Sequence, residues 1–209
     1  MRLVLASNNA KKLGELRALF SGLPIEVVPQ STLGVTEADE PHATFLENAL
    51  AKARHAARAT GSAALADDSG LCVDGLGGAP GVQSAVYAGV VPAQGDREAT
   101  RRIQDAANNA LLLRALKGAA DRRAAFVCTL VALRSADDPE PLVAVGRWPG
   151  AILESARGVG GFGYDPLMWI DAESATVAEL DAGRKNTISH RARAAARLLE
   201  LMREAWHLG

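Results

Sequence analysis

The chain has 209 residues, 48% of them hydrophobic, and a formal net charge of -1. That length supports a substantial core, while the near-neutral balance argues against a protein that wraps nucleic acid or coats a membrane. Two cysteines, Cys72 and Cys128, stand far apart with no C-x-x-C pair, so they read as buried small hydrophobes in a reducing compartment. The opening apolar run is too short for a secretory signal, and no stretch reaches the roughly 20 apolar residues of a membrane span. The expected location is therefore cytoplasmic.

In chain order, "RLVLA" (2–6) reads as a short buried strand. A helix follows over 11–20, with Leu13, Leu16, Leu19 and Phe20 at helical spacing, then a strand over 25–29. The clearest helix covers 43–61. Thr44 and Glu47 have capping-box spacing, Gly61 suits the stop, and Leu46, Leu50, Ala53 and Ala57 form an apolar face. "AALA" (63–66) is a short strand ending in "DDSG", followed by a Gly/Pro-rich loop over 75–81 and a helix over 97–117. Strands are expected at 124–133, 141–148 and 167–170, with the first two joined as a hairpin across "RSADDPE". A glycine-dense loop covers 157–166, and a last helix spans 189–206 with Ser189 as its N-cap. Alternation of strand and helix early, with local strand pairs later, implies an α/β fold on a mixed sheet. No repeat or linker divides 1–209, so a single domain is expected.

Five stretches can carry chemistry. "SNNAKK" (7–12) sits between a strand and a helix start, where outward N–H groups favour phosphate. Ser7 and Asn9 add side-chain donors and Lys12 a positive charge, yet the same residue types also make an ordinary capping loop. In "ADDSG" (66–70), adjacent side chains on extended backbone point to opposite sides, so Asp67 and Asp68 should do different jobs. One of them can bind a divalent cation, which prefers oxygen ligands; the alternative is a surface turn. "EADE" (37–40) becomes a metal-ligand candidate only where the fold brings it to Asp68. "GVGGFGYDP" (158–166) places aromatics and Asp165 in a glycine loop, able to stack on a base for about 1–3 kcal/mol. In "ISHRARA", His190 and Arg191 fall in a first helical turn, where cations oppose the dipole; an anionic or carbonyl-bearing ligand would compensate. Together these stretches suit a magnesium nucleoside triphosphate.

At this point "SNNAKK", "TFLENALAKARHA", "ADDSGLCVDGLGGAPG", "GGFGYDP" and "ISHRARA", in that order, resemble a known family. It is the Ham1-like family of inosine/xanthosine triphosphate pyrophosphatases, and the resemblance runs from Leu3 to about Leu201. It implies an elongated α/β fold with a mixed central sheet flanked by helices and two lobes around a substrate cleft. It also implies a homodimer, a need for Mg²⁺, and cleavage of dITP, ITP and XTP to monophosphate and pyrophosphate. This would remove deaminated purines from the nucleotide pool. No nucleic-acid or membrane partner is implied.

Carried over residue by residue, Ser7, Asn8, Asn9, Ala10, Lys11 and Lys12 match the triphosphate loop, and Lys52 a further phosphate contact. Asp68 matches the general base and a metal ligand, Glu40 a second metal ligand, and Ser69 a substrate contact. Phe162, Gly163, Tyr164 and Asp165 match the base loop, with Phe162 as the stacking ring; Lys185, His190 and Arg191 match the remaining nucleotide contacts. His190, Arg191 and the Asp165 loop are the candidates for reading the purine 6-position. The stretch over 89–109 departs from the family pattern and carries none of these residues. A Maf-type pyrophosphatase resembles the chain at "LASNN" but lacks a match to "GGFGYDP" and "ISHR".

Overall fold

Residues 1–20, 24–93 and 95–207 are described in a computed structural model of the chain; the side chains of Ala10 and Lys11 lie outside the described residues. The elements are β1 (Arg2–Leu5), α1 (Ala10–Leu19), β2 (Glu26–Pro29), α2 (Phe45–Thr60), β3 (Ala63–Val73), α3 (Arg97–Ala115), β4 (Arg123–Leu133), β5 (Leu142–Ile152), β6 (Met168–Ile170), β7 (Ala175–Thr176), α4 (Ala182–Ile188) and α5 (His190–Ala205). Seven strands form one mixed sheet in the order β2-β1-β3-β4-β5-β6-β7. β1 pairs parallel with β2 and β3, whereas β5, β6 and β7 pair antiparallel in turn. The expected α/β class with a mixed sheet is what the chain adopts.

The chain divides into two compact units. The first comprises Met1–Ser69, Cys128–Arg147 and Asn186–Gly209; the second comprises Gly70–Val127 and Trp148–Lys185. In the first unit the strand pleat sorts side chains into two cores. Leu3, Leu5, Leu65, Cys128, Leu130, Leu142 and Ala144 pack against Leu16 and Phe20 of α1 and Ala194, Ala195, Leu198 and Met202 of α5. Val4, Ala6, Ala64, Ala66, Val131 and Leu133 pack against Ala49, Ala53, Ala56 and Ala57 of α2. The second core is made of small residues, so α2 lies close to the sheet. The same helix face carries Lys52, one turn from Ala49 and Ala56.

Three local differences from the sequence reading have physical reasons. β3 does not end at Ala66 but continues through Asp67, Asp68, Ser69 and Gly70 to Val73. The pairing with β1 stops at Leu65, and beyond it the two carboxylates find cationic partners on either face, which keeps turn-prone residues in the extended strand. β5 runs past Trp148 to Ile152, and Gly150 permits it, since a Cβ there would sit 2.1 Å from the Trp169 carbonyl oxygen. On α2, Leu46 is exposed and Ala49 replaces it in the core, because the buried stripe is the alanine row. Thr44 does cap α2, accepting from the Glu47 N–H at 3.2 Å, and Gly61 ends it in the left-handed region. Cys128 is buried as expected, whereas Cys72 is half-buried.

Candidate active site

β3 presents its two carboxylates to opposite faces of the sheet. Asp67 shares a face with Leu65, the side covered by α1 and α5. Asp68 shares a face with Ala64 and Ala66, the side covered by α2. Each therefore meets the cations of a different helix layer.

On the α1/α5 side, Asp67 is fully enclosed and accepts four hydrogen bonds. Lys12 Nζ donates to Oδ1, as does the Ser69 hydroxyl at 2.7 Å. Arg191 Nε donates to Oδ2 at 2.8 Å, joined by the Cys128 thiol at 3.2 Å. Four donors saturate a carboxylate. Burial alone would raise the Asp67 pKa, but the Arg191 guanidinium and the Lys12 ammonium hold it well below the usual carboxylate range. Arg191 also pairs with Glu15 through Nη1 and reaches the Ser69 hydroxyl at 3.4 Å. Two cations, Lys12 and Arg191, thus face two anions, Glu15 and Asp67, in a balanced buried cluster.

Arg191 is buried and paired. In the first turn of α5 it is compensated within the protein by two carboxylates, Asp67 and Glu15. Neither it nor His190 is exposed, for Arg191 is 1% and His190 7% accessible. Ser189 caps α5, accepting from the Ala192 N–H at 3.2 Å. Gly146 of β5 lets the α5 start approach, since a Cβ there would fall 1.9 Å from the His190 carbonyl oxygen.

On the α2 side, Lys52 Nζ donates to Asp68 Oδ1 at 3.0 Å and to Glu40 Oε2 at 2.7 Å. The fold therefore does bring the "EADE" segment to Asp68. Burial pushes the Asp68 pKa up, Lys52 pulls it down and Glu40 pushes it up again, leaving it at about 6. Glu40 is lowered despite partial burial, through the same Lys52. Two carboxylates around one ammonium, with pKa values pushed apart, are a common arrangement for acid–base work. With both ionised, Asp68 Oδ2 is buried and has no donor. A net negative pair with an unsatisfied buried oxygen fits a divalent cation. Among the described residues no cluster of three or more His, Cys, Asp or Glu could hold a metal by itself. A site of one or two carboxylates completed by waters and substrate phosphates is the kind that Mg²⁺ takes.

Two residues absent from the sequence reading fix Glu40. Asn48, 1% exposed, accepts from the His42 N–H at 3.0 Å and donates to the His42 carbonyl at 3.2 Å. His55 Nε2 lies 3.0 Å from the Thr36 carbonyl oxygen. Asn48 and His55 both lie on α2, so the helix that carries Lys52 also pins the segment that carries Glu40.

In the opening loop, Asn9 Oδ1 accepts from the Lys12 N–H at 3.3 Å, and Ser7 Oγ accepts from the Asn9 N–H at 3.2 Å. Both side chains thus make capping contacts within the loop. Asn8 Oδ1 is buried with no protein donor. The expected roles of the Ala10 and Lys11 side chains lie outside the described residues.

The second unit holds the glycine loop. Asp165 Oδ2 accepts from the Phe162 N–H at 2.9 Å and from Lys185 Nζ at 2.7 Å, and both charged partners are buried. Lys185 Nζ also lies 4.5 Å from the centroid of the Phe162 ring. Gly161 is required, because its φ is +74° and a Cβ would overlap Asp165 Oδ2 at 2.0 Å. Tyr164 points inward: it is 4% exposed, and its hydroxyl donates to the Ser84 carbonyl at 2.9 Å. Phe162, Asp165 and Lys185 are thus brought together, while the Tyr164 side chain anchors the loop.

Fold and charge pattern define an α/β protein whose central strand sorts a saturated ion cluster to one face and an electron-rich carboxylate pair to the other. Residues 3–201 match the Ham1 family. The chain belongs to that family. A protein of Leptothrix cholodnii named dITP/XTP pyrophosphatase is 67% identical over the whole of both chains. One of Burkholderia pseudomallei with the same name is 58% identical over 97% of this chain and 94% of its own. Among solved structures, a HAM1 protein from Coxiella burnetii is 42% identical with a TM-score of 0.87, covering 98% of this chain and 100% of that one. The Ham1 protein of Staphylococcus aureus is 35% identical with a TM-score of 0.83, covering 98% and 99%.

Proposed function

We propose that the chain hydrolyses noncanonical purine nucleoside triphosphates, dITP and XTP foremost, to the monophosphate and pyrophosphate. The observation that carries the reading is the opposite deployment of Asp67 and Asp68 from β3, which separates ion pairing from chemistry. High identity to relatives named dITP/XTP pyrophosphatase supports the same reaction.

Glu40 and Asp68 would hold Mg²⁺, which when bound offsets charge on the phosphate oxygens. Asp68 Oδ2 takes the proton of the attacking water. With a pKa of about 6 it is ionised at neutral pH and still basic enough to accept one. Lys52 orients Asp68 through Oδ1 and leaves Oδ2 toward the water. An ammonium has three donors, of which Asp68 and Glu40 take two, so a phosphate oxygen can take the third. Lys12, ordered by Asp67 and by its place in the first turn of α1, supplies charge toward the leaving pyrophosphate. Phe162 stacks on the base, and Lys185, oriented by Asp165, donates to a base oxygen.

The test is pyrophosphate release from a panel of dITP, XTP, dATP and dGTP with Mg²⁺. Strong preference for dITP and XTP is expected, since a hydrogen-bonding site can reject the wrong edge by about 10⁴. Equal cleavage of dATP, or release of single phosphate, would overturn the assignment. The family also supports a homodimer, to be checked by light scattering. Among the described residues no helix is long and apolar enough to cross a membrane.

A further inference from the structure

Helix α3 begins within 89–109, and one stripe of it holds the glycine loop. Arg101, Asp105 and Asn109 are spaced by four residues, so they lie along one helix face. Asp105 Oδ2 accepts from the Gly163 N–H at 2.8 Å. Asn109 Nδ2 donates to the Gly163 carbonyl at 3.0 Å. The Arg101 guanidinium lies over the Phe162 ring, 5.0 Å from its centroid. Both backbone polar groups of Gly163 and the neighbouring ring are therefore gripped by a single helix. Gly163 has a φ of +62°, a conformation that an isolated loop holds weakly and that these two bonds select.

The helix is itself tied down by Asn108, close to the same stripe. Asn108 donates to the carbonyls of Ser84 and Ala85 at 3.2 and 3.0 Å, and its Oδ1 accepts from the Ala88 N–H at 2.9 Å. Tyr164, next in the loop, donates to the same Ser84 carbonyl. Ser84 is thus a shared anchor for the helix and the loop it holds. A rigid support of this kind is what a ring needs to present one face at a fixed angle.

We infer that Arg101, Asp105 and Asn109 are positioning residues for base recognition, acting through Gly163 and the Phe162 ring. The inference rests on the reading of 161–165 as the base loop. Arg101 orients the ring by lying over it, and Asp105 and Asn109 set the backbone from which the ring projects. The contacts of all three are to Gly163 and Phe162 and not to the residues read as phosphate contacts, so their loss should be felt only by ligands that carry a base.

The experiment compares Arg101→Ala, Asp105→Ala and the conservative pair Arg101→Lys and Asp105→Asn, with Phe162→Ala as reference. Steady-state pyrophosphate release from dITP gives KM and kcat, and inorganic tripolyphosphate gives an inhibition constant free of any base. The two alanine variants should raise KM for dITP about tenfold with kcat within about twofold, a loss of ground-state binding. The tripolyphosphate constant should stay unchanged. Arg101→Lys keeps a cation over the ring and Asp105→Asn keeps an acceptor for Gly163, so both should restore KM to within about threefold. If Phe162→Ala raises KM and the α3 variants do not, the positioning role is wrong and the base loop stands. If Phe162→Ala itself leaves KM unchanged, the base-loop reading falls first. A parallel rise in the tripolyphosphate constant would mean general structural damage and would also overturn the proposal.

Discussion

Asp67 and Asp68 are neighbours on one strand, identical in chemistry and opposite in state. Asp67 has four donors, two cationic, and its pKa lies well below the ordinary range. Asp68 has Lys52 on one oxygen, nothing on the other, and a pKa of about 6. The difference comes from the strand pleat alone, which hands one carboxylate to α1 and α5 and the next to α2. The first environment completes an ion cluster and keeps it still. The second leaves a carboxylate electrostatically unsatisfied, and such a group is available to a cation and a water.

The contrast can be broken most forcefully at Asp68. Asp68→Asn should lower turnover of dITP by about 10²–10⁴, the usual worth of a positioned base, while the protein still folds. Near-native turnover would remove Asp68 from the chemistry. Asp67→Ala should do the reverse: it leaves Arg191 buried beside a lost partner and should cost about 3–5 kcal/mol of stability in urea unfolding. A cost below about 1 kcal/mol would show that the Asp67 cluster is not what holds α1 and α5 to β3.

Gly146→Ala probes the Asp67 side without removing any of its charged groups. A Cβ at 1.9 Å from the His190 carbonyl oxygen must push the α5 start and Arg191 away, at about 1–3 kcal/mol. Stability should fall while Mg²⁺ binding, read by calorimetry, stays unchanged, because Glu40, Lys52 and Asp68 lie on the other face.

The pH dependence of stability should separate the two carboxylates by sign. Asp68 has a folded pKa of about 6 against an ordinary 3.8, so the folded state binds the extra proton in that window. Its contribution therefore falls as pH rises from about 4 to 6. Asp67 has a folded pKa below 3.8, so its contribution is present above that value and is lost as pH falls through the folded pKa. Urea midpoints in EDTA across pH 3–7 measure both. Asp68→Asn should remove the slope between about 4 and 6 and leave the acid limb; an unchanged slope would refute the Asp68 environment described above.

The smallest effect is expected at Asn48. Asn48→Ala removes both bonds to His42 and should cost about 1–2 kcal/mol. It should also raise the Mg²⁺ concentration needed for half-maximal turnover, since Glu40 loses its tether. Unchanged Mg²⁺ dependence would mean that Lys52 and the His55 contact place Glu40 without Asn48.

Much of this was legible in residue order. Thr44, Gly61 and Ser189 act as helix punctuation where local hydrogen-bonding chemistry says they should. The alternation rule alone separated Asp67 from Asp68, because period two is a property of extended backbone. Local reading failed on the extent of β3, since Asp, Ser and Gly read as a turn and only distant partners, Lys52 and Arg191, hold the carboxylates in the strand. It also failed on α4, a seven-residue helix too short for a periodic signal, whose Arg184 N–H is capped by Asp181 Oδ1 at 2.8 Å.

By itself the sequence determined the α/β class, the order of the longer strands and helices but not of β7 and α4, and which residue types could hold phosphate, metal or a base. Those follow from patterns of a few residues, where sterics and hydrogen bonding act at short range. Only the tertiary structure decided the partners. Glu15 and Arg191 are joined across 176 positions, Cys128 and Asp67 across 61, and Asp105 and Gly163 across 58. No local pattern encodes such pairs, because the energy that selects them comes from the packing of helices on a sheet, and charge finds its counter-charge only after that packing is made.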